Sequence, residues 1–247
     1  MPDTWIYAWI LLALLLIPVQ LRIPAPYGRH ARPGWGLTIP ARAGWIIMES
    51  VALIAFTWWY LAGGKWTEVT ILIATLFAAH YIHRSVIYPL QMRPSGRRIP
   101  VLIVAFAILF NTVNGFLNGD YLGTSGAQYP MTYFGDLRFM AGIGLFVIGA
   151  VVNIHADYRL IALRKNGEGR YQIPTGGLFR WVSCPNHFGE IVEWTGFAIM
   201  CWNLPAVAFA VWTASNLIPR AVHHHRWYRQ TFNGYPRGRK AVIPFVL

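Results

Sequence analysis

The chain is short of charged residues, and acids are the scarcest of them. Only 12% of its 247 residues are charged, with nine Asp and Glu against 21 Lys and Arg, whereas 55% are hydrophobic. An ordinary soluble domain of this length carries about twice that share of charge. The composition therefore excludes a typical soluble domain and indicates an integral membrane protein.

Several other features are missing. The two cysteines, Cys184 and Cys201, are too few for a disulfide framework or a cysteine-based metal site. No G-x-G-x-x-G follows a predicted strand, which excludes a Rossmann module. The net charge of +12 comes without a nucleic-acid-binding motif, and there is no internal repeat or low-complexity tract. We therefore expect one domain over residues 1–247 and no nucleic-acid partner.

Apolar stretches long enough to cross about 30 Å of hydrocarbon recur along the chain. They lie near residues 4–21, 44–62, 69–90, 99–118, 137–156, 187–202 and 204–220. The sequence therefore predicts an all-α, polytopic membrane protein with seven transmembrane helices. Asn203 and Pro205 predict a tight turn between the last two.

The basic residues are distributed unevenly between the two sides of these spans. Most Arg and Lys follow the first, third, fifth and seventh spans, whereas Asp3, Glu68, Asp120 and Asp136 lie on the other side. By the positive-inside rule, this asymmetry predicts an N-terminus outside and a C-terminus in the cytoplasm.

Polar side chains recur at helical spacing inside or beside the spans. Such groups are costly in lipid and normally face the interior of a bundle. The groups are Glu49; Tyr81 with Arg84 and Tyr88; Asn153 with Asp157 and Arg164; Asn186 with Glu190 and Glu193; and Arg220 with His224 and Tyr228. Any one group has a structural alternative, such as an acid paired with an arginine to hold helices together. A cavity open to the cytoplasm explains all five groups together.

That cavity has two candidate occupants. Adjacent helical residues point about 100° apart, so the run His223-His224-His225 cannot converge on one ion, and we expect no metal site. A dinucleotide is permitted, because Arg164, Arg170 and Arg220 offer forked donors for phosphates.

Longer segments carry a resemblance to a known family. They are YGRH, IPARAGW, HYIHRSVIYPL, NIHADY, LRK, YQIPTGGLF, SCPNHFGEIVEWTGFA, RAVHHHRWY and YPRGRKAVIPF. From near residue 27 to its last residue, the chain resembles the steroid 5α-reductases, also called 3-oxo-5α-steroid 4-dehydrogenases.

The resemblance implies an NADPH-dependent enzyme that reduces the Δ4 double bond of a 3-oxosteroid, with Glu49 and Tyr81 polarising the C3 carbonyl. It implies cofactor contacts from Asn153, Asp157, Arg164, Tyr171, Asn186, Glu190, Arg220, His224 and Tyr228. Within that set we expect Glu190 and Asn186 to orient the nicotinamide end, and Glu193 to support helix packing. The expected surroundings are the bilayer of a bacterial inner membrane or endoplasmic reticulum, with a monomeric protein and a cofactor site facing the cytoplasm.

Other activities remain open at this stage. They are a different sterol-ring or enoyl reductase, an isoprenylcysteine or phospholipid methyltransferase of similar build, and a transporter or lipid-binding module. The absence of an internal repeat disfavours transport by alternating access. We also expect the loop from Asp157 to Cys184 and the C-terminal segment to form a lid over the cofactor.

Overall fold

The computed structural model describes residues 3–92, 96–166 and 171–247, with only the backbone for 165 and 166. Contacts divide the chain into two compact units. The middle unit is Ala25–Phe139, and the terminal unit combines Met1–Pro24 with Met140–Leu247.

Helices dominate both units. In chain order they are α1 (Asp3–Arg22), α2 (Ala41–Gly63), α3 (Glu68–Ile82), α4 (Tyr88–Gln91), α5 (Val101–Thr124), α6 (Leu137–Asn166), α7 (Pro185–Cys201) and α8 (Leu204–Thr231). A π-helical turn, His83–Ile87, joins α3 to α4, so that Glu68–Gln91 is one continuous helix.

The strands β1 (Thr38–Pro40) and β2 (Arg98–Pro100) pair antiparallel, with Ile39 opposite Ile99. Short 3-10 turns are Gly28–His30, Gly126–Gln128, Met131–Gly135 and Gly177–Arg180.

The predicted helical membrane protein is confirmed. Within the described ranges, five helices are long and apolar enough to cross a membrane: Asp3–Arg22, Ala41–Gly63, Glu68–Gln91, Val101–Thr124 and Leu137–Arg164. The sixth and seventh predicted spans are also helical, as α7 and α8, but they do not belong to that set. The 17 residues of α7 extend only about 25 Å at 1.5 Å per residue. The number of seven spans and the orientation of the termini stay predictions.

Two helices extend beyond the predicted apolar spans. The fifth predicted span is 137–156, whereas α6 continues to Asn166, and the seventh is 204–220, whereas α8 continues to Thr231. Hydropathy identifies only the part of a helix that suits lipid, whereas a helix continues into water as long as its residues favour it. As a result Asp157 and Arg164 lie on a helix and not in the predicted loop.

The turn predicted between the last two helices is confirmed. Asn203 caps α8, since its side-chain oxygen accepts a hydrogen bond from the Ala206 backbone N–H at 2.8 Å. Pro205 occupies the first turn, where its missing N–H costs nothing.

The middle unit is built on close packing of α2 against α5. Gly115, Gly119 and Gly123 lie four residues apart on α5 and face α2. A Cβ at Gly119 would lie 2.5 Å from the Phe56 carbonyl oxygen, so only glycine permits this approach of the two backbones. Phe56 in turn stacks on Phe77 of α3 with ring centroids 3.9 Å apart.

Glycines also bring α6 and α7 together in the terminal unit. A Cβ at Gly149 of α6 would lie 2.5 Å from the Gly189 carbonyl oxygen of α7, and one at Gly189 would lie 2.5 Å from the Asn153 backbone nitrogen. The backbones therefore touch beside Asn153, which positions its side chain against α7. Elsewhere in this unit, α8 is held to α1 by the Trp212 indole N–H, which donates to the Trp9 carbonyl at 3.0 Å.

Replacing Gly149 by alanine is expected to destabilise the protein by about 1–3 kcal/mol, because the new methyl group forces two backbones apart. Gly144 provides the matched control on the same helix, since apart from the helix's own backbone no described residue lies within 4 Å of a Cβ built there. Gly144→Ala should leave stability unchanged or raise it slightly through helix propensity. Thermal unfolding in detergent measures both, and equal midpoints for the two variants would contradict the close-packing argument.

Candidate functional site

Four polar residues predicted to hold the cofactor meet where α6 contacts α7. The Asn153 amide donates to the Asn186 backbone carbonyl at 3.0 Å and to the Glu190 carboxylate at 3.2 Å. The Asn186 amide donates to Asp157 Oδ1 at 3.0 Å. We call these four residues, Asn153, Asp157, Asn186 and Glu190, the amide–carboxylate cluster.

The amide–carboxylate cluster is largely buried, and burying polar side chains costs free energy unless they are hydrogen-bonded. Asn153 and Asp157 are 2% and 3% exposed. Buried carboxylates and amides require hydrogen-bond partners, which can come from one another, from neighbouring groups or from a ligand. The half-buried position of Asn186 and Glu190 leaves their side chains as the accessible edge of the cluster.

The predicted residues of α8 lie at successive turns of one helix. Arg220, His224 and Tyr228 follow each other at four-residue spacing, and His224 and Tyr228 are 7% and 1% exposed. The His224 ring lies 5.6 Å from the ring of His187 on α7. The predicted row is therefore largely buried and directed toward the unit's interior.

Arg164 and Tyr171 are neighbours across the end of α6. The Arg164 guanidinium lies 5.9 Å from the centre of the Tyr171 ring, and that ring lies 5.0 Å from Trp227. A cation over an aromatic face gains attraction at this distance. Arg170, the other loop arginine considered for phosphate binding, lies outside the described residues.

The three consecutive histidines have three different partners. His223 Nε2 is 2.8 Å from the Gln20 carbonyl oxygen, His224 faces His187, and His225 Nδ1 is 2.6 Å from Ser183 Oγ. Across the part of the chain that the structure describes, no group of three or more His, Cys, Asp or Glu residues could hold a metal ion.

A cavity of about 750 Å³ lies beside the loop that precedes α7. Its lining includes Gly176, Gly177, Arg180 and Arg239. Both glycines have positive φ, at 80° and 51°, a conformation that suits glycine. We call this space the arginine cavity.

Arg239 is the unexpected residue of the arginine cavity. Its side chain is 6% exposed, and its guanidinium lies 5.2 Å from the centre of the Tyr235 ring. Its Nε and Nη1 have no hydrogen-bond partner among the residues described. Since buried donors without acceptors are costly, the arrangement suits an anionic ligand. The sequence shows that the C-terminal segment is basic, but no sequence pattern identifies Arg239 as a residue of a binding site.

The two predicted catalytic residues lie in the middle unit. Tyr81 of α3 is 4% exposed, and its ring lies 4.8 Å from Phe77. Glu49 of α2 is half-buried. Beside it, the Asn111 amide donates to the Met48 carbonyl at 2.6 Å. Tyr81 thus packs against Phe77 of its own helix, α3. Separately, α5 contacts α2 next to Glu49.

Arg84 is buried, as its spacing from Tyr81 predicts. Its guanidinium lies 5.1 Å from the ring centres of both Trp45 and Tyr88. The Trp45 indole N–H also donates to the Arg84 carbonyl at 3.1 Å, within the π-helical turn. π-Helical turns are common at functional sites. Sequence spacing did not identify Trp45, which approaches from another helix.

The structure thus defines a helical membrane protein whose buried polar side chains gather in discrete clusters. A family model described as 3-oxo-5-alpha-steroid 4-dehydrogenase matches residues 97–247, more than half of the chain. A steroid 5-alpha-reductase of Gossypium hirsutum is 40% identical over 255 residues, covering 99% of this chain and 98% of the relative.

Animal relatives are similar to the same degree. The 3-oxo-5-alpha-steroid 4-dehydrogenase 1 of Homo sapiens is 41% identical over 223 residues, covering 89% of this chain and 85% of the relative. The 3-oxo-5-alpha-steroid 4-dehydrogenase 2 of Sus scrofa is 42% identical over 243 residues, covering 96% and 93%. The chain therefore belongs to the steroid 5-alpha-reductase family, which confirms the resemblance seen in its motifs. It is an oxidoreductase acting on CH–CH groups.

Proposed function

We propose that the protein reduces the Δ4 double bond of a 3-oxosteroid to the 5α-reduced 3-oxosteroid with NADPH. The observation that carries the proposal is the amide–carboxylate cluster, in which four of the nine residues assigned to the cofactor are hydrogen-bonded neighbours. The names of the relatives supply the substrate class and the position of the reduced bond.

The terminal unit supplies groups suited to both ends of a dinucleotide. Asn186 and Glu190 can hydrogen-bond the carboxamide of a nicotinamide, since an amide and a carboxylate together offer donors and acceptors. Arg239 lines the arginine cavity, and two of its nitrogens, Nε and Nη1, have no partner among the described residues and can donate to a phosphate. When bound, the reduced nicotinamide supplies a hydride to C5 of the steroid. Arg164, Tyr171, Arg220, His224 and Tyr228 complete the proposed set of cofactor contacts.

In the proposed chemistry, Glu49 and Tyr81 act on the C3 carbonyl. Hydride addition at C5 moves negative charge through the conjugated system to the carbonyl oxygen, and a proton from water or from Tyr81 then adds at C4. A phenol and a protonated carboxyl group can each donate a hydrogen bond to that oxygen, as in an oxyanion hole. The proposed role of Glu49 requires its carboxyl group to be protonated when the steroid is bound. The two donors therefore stabilise charge that is absent from the ground state.

Glu193 has a different proposed role from Glu190. It is 2% exposed, and its backbone nitrogen lies where α7 passes Gly149 of α6. We assign it to the packing of these helices. Glu190, one turn nearer the start of α7, faces Asn153 and remains half-buried.

Backbone hydrogen bonds connect the two parts of the proposed lid, which are the loop before Cys184 and the C-terminal segment. Ser183 N–H donates to the Lys240 carbonyl at 2.9 Å, and Lys240 N–H donates to the Trp181 carbonyl at 2.8 Å. The end of the loop and the C-terminal segment are thus joined by backbone hydrogen bonds. We expect them to move as one body over the cofactor, on the cytoplasmic side of a monomer in the bilayer.

The function is tested by incubating purified protein with NADPH and a panel of Δ4-3-oxosteroids. We expect mass spectrometry to show a gain of two hydrogens, matched mole for mole by NADPH oxidation. Equilibrium binding of NADPH and of S-adenosylmethionine distinguishes the proposed reductase from the methyltransferase alternative. Binding of S-adenosylmethionine without binding of NADPH would refute the proposal, and transport of steroid without chemical change would favour the transporter alternative.

Arg164→Ala is expected to raise the KM for NADPH about tenfold while changing kcat little, because one charged contact to a phosphate is worth at least about 1.4 kcal/mol. Arg226 on α8 is the control, since its side chain is exposed and it has no assigned contact. Steady-state kinetics at saturating steroid measures both variants. An unchanged KM for Arg164→Ala would assign that arginine to membrane orientation instead.

A further inference from the structure

The hydroxyl of Ser183 lies at the centre of a buried cluster that the proposed mechanism does not use. Ser183 Oγ is 2.6 Å from Tyr235 Oη, 2.6 Å from His225 Nδ1 and 3.1 Å from the Lys240 carbonyl oxygen. Ser183 and Tyr235 are 3% and 6% exposed. We call Ser183, His225 and Tyr235 the serine cluster.

The chemistry of the partners determines the direction of each hydrogen bond. A carbonyl oxygen only accepts, so the single Ser183 hydroxyl proton is donated to Lys240. The two lone pairs of Ser183 Oγ then accept from Tyr235 and from His225, which must carry a proton on Nδ1. The serine hydroxyl is fully saturated by this arrangement. Such a network holds all its members in one geometry.

Tyr235 connects the serine cluster to the proposed cofactor site. Its ring is stacked on that of Tyr228, with centroids 5.2 Å apart and planes 8° from parallel. The Arg239 guanidinium lies 5.2 Å from the centre of the Tyr235 ring. A single tyrosine ring therefore contacts two residues that are assigned to the cofactor.

The Tyr235 phenol remains a donor over the physiological range. Burial raises the pKa of Tyr235 above its usual value, by more than the nearby Arg239 guanidinium lowers it. Deprotonation would place a phenolate against a serine oxygen that has no proton left to donate. The cluster therefore keeps its geometry at neutral pH.

We propose that Tyr235 is a positioning residue of the cofactor site, fixed by Ser183 and His225, and that it orients Tyr228 and Arg239 toward the cofactor. The inference rests on the proposed function, since it takes Tyr228 and Arg239 as cofactor contacts. Tyr235 itself acts through them. The cluster therefore controls affinity for NADPH and leaves the chemistry at the steroid unchanged.

Tyr235→Phe tests the proposal with the smallest change, because it keeps the ring that stacks on Tyr228 and removes only the hydroxyl. We expect its equilibrium affinity for NADPH to fall about fivefold, with kcat at saturating NADPH within about twofold of wild type. Ser183→Ala should have a similar effect, and the double variant should be no weaker than the single ones, because both remove the same hydrogen bond. Tyr121→Phe is the control, since it removes a 2.7 Å phenol hydrogen bond to Gln128 in the middle unit.

Two variants of His225 provide a second test, because a loss of packing alone would not produce the difference expected between them. An asparagine at 225 can place an amide N–H near the position of Nδ1–H, whereas leucine cannot. We expect His225→Asn to retain NADPH affinity and His225→Leu to lose it about fivefold. This pair remains decisive if Ser183→Ala fails to fold.

The outcomes separate the two proposals. If wild-type protein binds NADPH and Tyr235→Phe binds it equally well, the positioning role is refuted and the proposed function stands. A fall in kcat without a fall in affinity would also refute the positioning role. If wild-type protein binds no NADPH, the proposed function fails, and this inference fails with it.

Discussion

Replacing Tyr81 by phenylalanine is expected to lower the turnover of a 3-oxo-Δ4 steroid by about 10²–10³-fold. Glu49→Gln should also lower turnover, because an amide donates a weaker hydrogen bond than a protonated carboxyl group. Both variants should keep their affinity for NADPH, since both residues are assigned to the carbonyl oxygen. Single-turnover kinetics with saturating NADPH, together with equilibrium cofactor binding, measures the two effects separately.

The reason for so large an effect is that the donor acts mainly in the transition state. The ground-state ketone is a modest hydrogen-bond acceptor, whereas the oxygen becomes strongly negative as the hydride adds at C5. Loss of one donor aimed at such an oxygen costs about 2.7–4 kcal/mol. Interactions that strengthen only in the transition state raise kcat and leave binding little changed.

Tyr60→Phe and Glu68→Gln are suitable controls in the same unit. Tyr60 is buried and its hydroxyl is 3.2 Å from Thr70 Oγ1, so its phenylalanine variant also removes a phenol hydrogen bond. Glu68 lies in the first turn of α3. Turnover should change little in either control. If Tyr81→Phe instead weakened NADPH binding with turnover of bound cofactor intact, its proposed catalytic role would be wrong.

Arg239→Met is expected to weaken NADPH binding about 30-fold or more. Its guanidinium is buried, its Nε and Nη1 have no hydrogen-bond partner among the described residues, and Arg239 lines the arginine cavity. Truncating one partner of a buried, hydrogen-bonded charge pair typically costs about 2–5 kcal/mol, and about 2 kcal/mol corresponds to 30-fold. Methionine keeps much of the side-chain length and apolar contact with Tyr235.

The matched control is Arg237→Met in the same segment, because Arg237 is exposed. Isothermal titration calorimetry with NADPH and with NADH measures the loss of affinity in Arg239→Met and shows which phosphate group is involved. A loss confined to NADPH would place the 2′-phosphate in the arginine cavity, and equal losses would place the pyrophosphate there. Unchanged affinity for both nucleotides would contradict a cofactor role for the arginine cavity.

Spacing along a helix predicted which polar residues share a face, but it could not identify their partners. Asn153 and Asp157 share a face because they lie four residues apart on α6. That this face meets Asn186 and Glu190 depends on the approach of α7, which the glycines at 149 and 189 permit. The same limitation applies to Arg84, whose aromatic partner Trp45 comes from α2.

The helix ends show a related limitation. Apolar runs locate spans because lipid requires about 20 residues of low polarity. Arg164 and Tyr228 lie past the apolar runs, where hydropathy does not locate the end of a helix and only the helical spacing of polar residues predicts that it continues. In the structure α6 and α8 do continue, which places these two predicted cofactor residues on helices.

By itself, the sequence determined that this is a helical membrane protein of the steroid 5-alpha-reductase family, and it predicted which polar residues share a helix face. Those conclusions follow from composition and from residues close together along the chain. Only the tertiary structure decided that Arg239 is buried and that Tyr235 lies between it and Tyr228. The reason is that hydrogen bonds between Ser183 and the chain around Lys240 dock the C-terminal segment, and contacts between residues so far apart in sequence leave no local pattern.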